Sequence, residues 1–130
     1  MVKRLLVSLL AVLGLSAGLA PSAAADGPPI TGSRIDLSVT ATTNGVQTNR
    51  STIISFNRDN VVASDWFNVD ATPWHQWFYV HRSPYGFLYL SAQPTNPNPV
   101  YGVVTYTCKI SVNGVVVSSH TAVSSVTCSI

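Results

Sequence analysis

Three histidines, His75, His81 and His120, are the side chains of this sequence best suited to holding a metal ion or moving a proton. His75 and His81 share one face of a predicted strand, but six residues of strand separate them by roughly 20 Å, too far to bind one ion. The sequence has no His-x-His or Cys-x-x-Cys spacing, which metal sites commonly use. We therefore predict no metal and no cofactor.

A hydrolase site of the Ser-His-Asp type has its residue types in the sequence, because serine is frequent and Asp65 and Asp70 precede His75. The chain after residue 25 has no Gly-x-Ser-x-Gly motif to hold a nucleophile at a strand-to-helix turn. No motif supplies a nucleophile, a base and an orienting group together. We predict that the protein is not an enzyme.

Aromatic residues are the stronger candidates for a binding role, since exposed rings can stack on sugars or contact lipid tails. The predicted strand 74–82 carries a tryptophan on each face, and both cannot point into a two-layer core. We predict that Trp74, Phe78 and Val80 are buried, and that Trp77 and Tyr79 form an exposed candidate binding face with His75 and His81. Two alternatives stay open: a loop covers the pair, or both rings fill the core. The wider aromatic group comprises Trp66, Trp74, Trp77, Tyr79, Phe87 and Tyr89.

Short strands that alternate apolar and polar residues must position these side chains. Residues 34–42 set the pattern, with Ile35, Leu37 and Val39 between polar neighbours, as expected of a half-buried strand. No segment after residue 25 has a helical apolar period. Turn residues separate the segments, which predicts an all-β, immunoglobulin-like antiparallel β-sandwich of about seven to eight strands with one disulfide. The predicted strands are 34–42, 51–56, 61–67, 74–82, 87–93, 101–112, 115–121 and 123–129.

The clearest local signal is Asn113-Gly114, which predicts a type I′ hairpin because both central residues of that turn need a positive φ. The turn places Val112 opposite Val115, Ile110 opposite Val117 and Cys108 opposite Ser119. Cys128 lies on the apolar alternation of the last predicted strand. We predict a Cys108–Cys128 disulfide.

The N-terminus predicts export. Lys3 and Arg4 precede a leucine-rich run, and Ala23-Ala24-Ala25 form a small-residue cleavage site. The expected organisation is a signal peptide at 1–25, a linker at 26–33 and one β-sandwich domain at 34–130. The run of about 15 apolar residues is short for a membrane span, although a retained anchor stays open as the alternative.

Charge argues against a nucleic-acid partner. Two of the seven basic residues belong to the predicted signal peptide, so five basic residues (7 − 2) face five acidic ones in the mature chain. A near-zero net charge gives no electrostatic argument for a nucleic-acid partner or an anionic membrane. An exported chain matures in an oxidising compartment, and the expected localisation is secreted, extracellular or cell envelope.

Three motifs in the second half of the mature chain point to a family. They are a Leu-x-Leu-Ser-Ala-Gln strand at 88–93, Cys-x-Ile-x-Val-Asx-Gly at 108–114 and a final cysteine at 128. On these motifs the sequence resembles the C-terminal domain of the MmpS family, small envelope proteins that accompany RND-type transporters exporting lipids and siderophores. Trp74 after Pro73 is similar to the family's Pro-Trp position. Family members have an N-terminal membrane anchor, whereas this chain has a cleavage pattern and no predicted span after it.

The resemblance implies a non-catalytic accessory role in exporting a hydrophobic envelope molecule. The expected partner is an RND-type membrane transporter or a hydrophobic envelope ligand. The alternative is a free secreted carbohydrate- or lipid-binding module that uses the Trp77 and Tyr79 face. A small secreted hydrolase ranks third.

Overall fold

A computed structural model describes residues 29–44, 51–69, 72–82, 87–98, 100 and 102–130. The predicted signal peptide at 1–25, the first part of the predicted linker and the turns around residues 45, 70–71 and 83–86 lie outside the described residues. The last residues of the predicted linker pair with the domain, because the Gly32 N–H donates to Val80 O (2.8 Å) and the Val80 N–H donates to Ser33 O (2.9 Å).

Eight strands make up the described part of the chain, and it contains no helix longer than a single turn. The prediction of an all-β, immunoglobulin-like sandwich is confirmed. The strand bounds agree with the predicted segments to within three residues at each end. The strands are β1 (Arg34–Asn44), β2 (Ser51–Arg58), β3 (Val61–Asn68), β4 (Trp74–Tyr79), β5 (Tyr89–Pro94), β6 (Val103–Val112), β7 (Val115–Val123) and β8 (Val126–Ser129).

Two antiparallel four-stranded sheets form the sandwich. Sheet A has the strand order β4-β1-β6-β7, and sheet B has the order β3-β2-β5-β8. Alternate residues of each central strand point inward, as the burial pattern of β1 illustrates with Ile35, Leu37, Val39 and Ala41 all buried. The core between the sheets therefore comes from period-two alternation in strands of both layers.

The β6–β7 hairpin forms around the predicted turn, with φ of 50° at Asn113 and 83° at Gly114. Val112 lies opposite Val115, as predicted. The two further predicted pairs are wrong, because a β-bulge shifts the register between Ile110 and Ser111. Ile110 consequently pairs with Ser118 and Cys108 with His120. The extra residue of the bulge is Val117. The alternation of apolar and polar residues in the sequence does not reveal a bulge at this position.

The predicted disulfide between Cys108 and Cys128 is present, and both residues are buried. It joins β6 of sheet A to β8 of sheet B, so it ties the two layers together instead of bracing the hairpin. A second link between the layers is polar: Thr52 Oγ1 and the Tyr106 hydroxyl share a buried hydrogen bond of 3.0 Å. Disulfides persist in oxidising, extracytoplasmic surroundings, so the bond indicates that kind of compartment.

The two edge strands β4 and β3 meet along one side of the sandwich. Trp74 of β4 donates its Nε1–H to Asp65 Oδ2 of β3 at 2.8 Å, and its ring packs 5.6 Å from the ring of Phe56. Because Trp74 spans the gap between the sheets, it places the rest of β4 at the open edge of sheet A.

Candidate functional site

Side chains of β4 alternate between the core and the surface. Trp74 is 7% exposed, and Phe78 and Val80 are fully buried, whereas Trp77 is 49% and Tyr79 48% exposed. His75 is exposed on the same outer face. The predicted division of β4 is confirmed, and no described loop covers Trp77 or Tyr79.

Two residues of β1 join these rings. The register places Asp36 opposite Trp77 and Arg34 opposite Tyr79. The Arg34 guanidinium lies 4.9 Å from the centre of the Trp77 ring, and the Tyr79 ring meets Trp77 edge to face at 5.8 Å. We call the group Arg34, Asp36, His75, Trp77 and Tyr79 the aromatic surface.

Asp36 organises the polar part of the aromatic surface. Arg34 donates from Nε to Asp36 Oδ2 at 3.1 Å and from Nη2 to Oδ1 at 3.0 Å. His75 Nε2 lies 3.4 Å from the same Oδ1. The hydrogen bond to Asp36 is the main reason that the pKa of Arg34 is raised. A forked pair of this kind holds the guanidinium in one orientation over the Trp77 ring.

Hydroxyl side chains occupy much of the outer face of sheet A beyond the aromatic surface. Thr40, Thr107 and Thr121 lie side by side on β1, β6 and β7, and the hydroxyl oxygens of Thr107 and Thr121 are 2.8 Å apart. Lys109 is the charged residue of this part of the face. The aromatic surface thus forms a cluster of Trp, Tyr and Arg at one edge of a hydroxylated face that also carries Lys109.

His81 does not belong to the aromatic surface. The sequence predicts that it follows His75, Trp77 and Tyr79 along one strand, but β4 ends at Tyr79. The His81 N–H donates to Asp59 Oδ1, and its Nδ1 lies 3.1 Å from Asp59 Oδ2. Asp59 belongs to the β2–β3 turn, so His81 contacts that turn and does not continue β4.

The hydrogen bond from the His81 N–H lowers the pKa of Asp59 below its ordinary value of 3.8, with smaller contributions from the His81 side chain and Arg58. A lowered folded-state pKa stabilises the fold above the ordinary carboxyl pKa, and this stabilisation is lost as the pH falls through the lowered value. We expect an NMR titration of the Asp59 carboxyl to show this lowered midpoint. His81→Ala should keep most of the shift because it keeps the N–H. A midpoint at or above 3.8 would contradict the assignment.

The aromatic residues that lie close together in sequence divide between the two sheets. Trp66 is 68% exposed on β3 of sheet B, where it lies opposite Ile53. Phe87 and Tyr89 stack with ring centres 6.0 Å apart at the start of β5. Trp77 and Tyr79 are on sheet A. The aromatic group is therefore two separate surfaces and one core residue, Trp74.

Sequence reasoning found Trp77, Tyr79 and His75 but missed Arg34 and Asp36. The only available signal was the position of Arg34 and Asp36 two residues apart, which places both on the outer face of β1. Their contact with β4 depends on a strand pairing across 41 residues of chain (77 − 36), from Asp36 to Trp77, and no local pattern encodes it.

Within the described ranges, no three His, Cys, Asp or Glu side chains converge on a point where they could hold a metal ion. In the same part of the chain, no helix has the length and apolar character needed to cross a membrane. No protein-family model and no curated protein matches the sequence.

Proposed function

We propose that this chain is a non-catalytic binding protein, secreted or held in the cell envelope, and that the aromatic surface is where it contacts a partner. The MmpS resemblance suggests which partner this is. It would be an RND-type membrane transporter that exports a hydrophobic envelope molecule. The protein is then a transport accessory.

The composition and exposure of the aromatic surface carry this proposal. Trp, Tyr and Arg are the residues that contribute most to binding energy at protein interfaces. Here Trp77 and Tyr79 remain about half exposed while Arg34 is held in place by Asp36. A partner would meet side chains that are already ordered, so little conformational entropy would be lost on binding.

The disulfide and the sequence motifs support the cellular setting. A buried Cys108–Cys128 bond fits a protein that works outside the cytoplasm, and the signal pattern of residues 1–25 fits export. The motifs that resemble the MmpS family fall on or next to β5, β6 and β8, and the disulfide links β6 to β8. The aromatic surface lies on β1 and β4, of which β1 pairs with β6.

Photo-crosslinking in the producing cell tests the proposal. A photoreactive phenylalanine derivative replaces Trp77 in the full-length chain, and after illumination the adducts in the envelope fraction are identified by mass spectrometry. The matched control carries the same residue at Trp66, which is also exposed but lies on the opposite sheet. We expect a transporter adduct from position 77 and none from position 66.

Other adducts distinguish the alternatives. A lipid or glycan adduct from position 77, without a protein, would support the free carbohydrate- or lipid-binding module instead of the transport accessory. Equal yields of the same protein from positions 66 and 77 would show that the aromatic surface has no special role. No adduct at position 77 would contradict both binding functions of that surface.

A further inference from the structure

Sheet B carries a groove on the face turned away from the aromatic surface. Its volume is about 350 Å³, within the range of small-ligand sites. Strand β5, the chain that follows it and the turn before β8 form its walls. The lining residues include Ile53, Gln93, Pro94, Thr95, Ser124 and Ser125.

Trp66 lies beside this groove, on the strand next to Ile53. Ile53 lies opposite Trp66 on one side and opposite Gln93 on the other, so the three side chains form a row on the outer face. Neighbouring strands are about 4.8 Å apart, which gives the row a length of about 10 Å. Trp66 is 68% exposed. An accessible indole ring therefore lies next to Ile53, one strand beyond the residues that line the groove.

The walls of the groove are held in place before any ligand binds. Thr95 donates both its N–H and its hydroxyl to Ser51 O, at 3.0 and 3.1 Å. Asn96 and Asn98 each accept an N–H from two residues further along the chain, both at 3.1 Å. Such turns fix the segment after β5, and a site that is fixed in advance loses less entropy on binding.

Ser124 lies in the two-residue turn between β7 and β8 and forms part of the groove wall. Its φ is 72°, a backbone conformation that is unfavourable for a non-glycine residue. The Ser124 N–H donates to Val104 O at 2.8 Å, which holds that conformation and positions Ser124 in the groove wall.

The chemistry of the walls selects the ligand class. The described lining residues carry hydroxyl and amide groups, one isoleucine and two prolines, Pro94 and Pro97. None of these described residues is charged, so an ionic ligand would find no countercharge among them. The groove is open and partly polar, so it would leave much of a lipid tail in contact with water. A sugar ring combines hydroxyl groups, which Gln93 and the serines can bind, with a C–H face that stacks on an indole.

We propose that this groove, together with Trp66, binds a neutral oligosaccharide. One sugar ring stacks on Trp66, and the next rings lie over Ile53 and hydrogen-bond to Gln93, Ser124 and Ser125. This site is separate from the aromatic surface, so the two proposals stand or fall independently.

The test uses the exported protein and four uncharged probes: cellotetraose, maltotetraose, mannotetraose and tetra-N-acetylchitotetraose. We expect at least one to bind at millimolar concentration or below. NMR shift changes should centre on the Trp66 indole N–H and on Ile53, Gln93 and Ser124. Trp66→Ala should weaken binding about tenfold or more, as expected for loss of an aromatic anchor.

Two matched variants and one charged probe complete the test. Gln93→Leu keeps the size of the side chain and should weaken binding by removing the amide. Phe87→Ala removes an exposed aromatic ring outside the groove lining and should leave the saccharide affinity unchanged. The proposal is overturned if none of the four probes binds, if Phe87→Ala weakens binding as much as Trp66→Ala, or if only the charged tetragalacturonate binds.

Discussion

Trp74→Ala is expected to lower the free energy of unfolding by about 3–5 kcal/mol, the range for deleting a large buried aromatic side chain. Trp74 packs against Phe56 and donates to Asp65 of the opposite sheet. The substitution leaves a cavity at the side where the two edge strands meet. Urea denaturation followed by circular dichroism measures the change.

Two other variants show which part of Trp74 matters. Trp74→Phe keeps a buried ring but loses the N–H donor to Asp65. Apart from the effect of the smaller ring, it should lower the free energy of unfolding by only about 1 kcal/mol. Trp77→Ala removes a half-exposed ring and its contact with Arg34, and should cost less than about 1 kcal/mol. If Trp77→Ala unfolds as readily as Trp74→Ala, both rings are core and the aromatic surface is not free for a partner.

Replacing both Cys108 and Cys128 with alanine is expected to lower the free energy of unfolding by about 2–5 kcal/mol. The bond closes a loop with a sequence separation of 20, for which the chain-entropy model gives about 3 kcal/mol. Both sulfur atoms are buried, so the variant also loses some packing between the sheets. Guanidinium denaturation of oxidised wild type and the double variant measures the difference.

A reducing agent provides the control for the disulfide. It should destabilise the wild type by a similar amount and leave the double variant unchanged, since that variant has no bond to break. Thiol labelling of unreduced, denatured wild type should find no reactive cysteine. Two labelled thiols in that sample, or equal stability of the oxidised wild type and the double variant, would contradict a stabilising bond.

Much of the fold follows from local patterns in the sequence. Alternation along β1 and β4 assigns the buried and exposed faces correctly, and Asn113-Gly114 fixes the hairpin turn because few residues accept its positive φ values. The register beyond Val112 could not be predicted. A bulge depends on how the edge strand packs and twists, and Val117 differs in no obvious way from the valines beside it.

The candidate site was predictable only in part, for a topological reason. The chain passes from β3 in sheet B to β4 in sheet A and back to β5 in sheet B. Aromatic residues that are neighbours in sequence, such as Trp66 and Trp77, therefore lie on opposite faces. Arg34 and Trp77 meet instead through the pairing of β1 with β4, a long-range contact that period-two patterns do not specify.

The bulge in β7 has a consequence for aggregation. β7 is an outer strand of nine residues with no Lys, Arg, Asp or Glu, and such an edge can recruit strands from other chains. Many proteins block this templating with a charged side chain, whose repulsion fades as salt increases. Here the bulge adds local twist, which disfavours a long, straight intermolecular ladder. Resistance to fibril growth at this edge thus depends on backbone shape, and it should persist at ionic strengths that would weaken a charge-based defence.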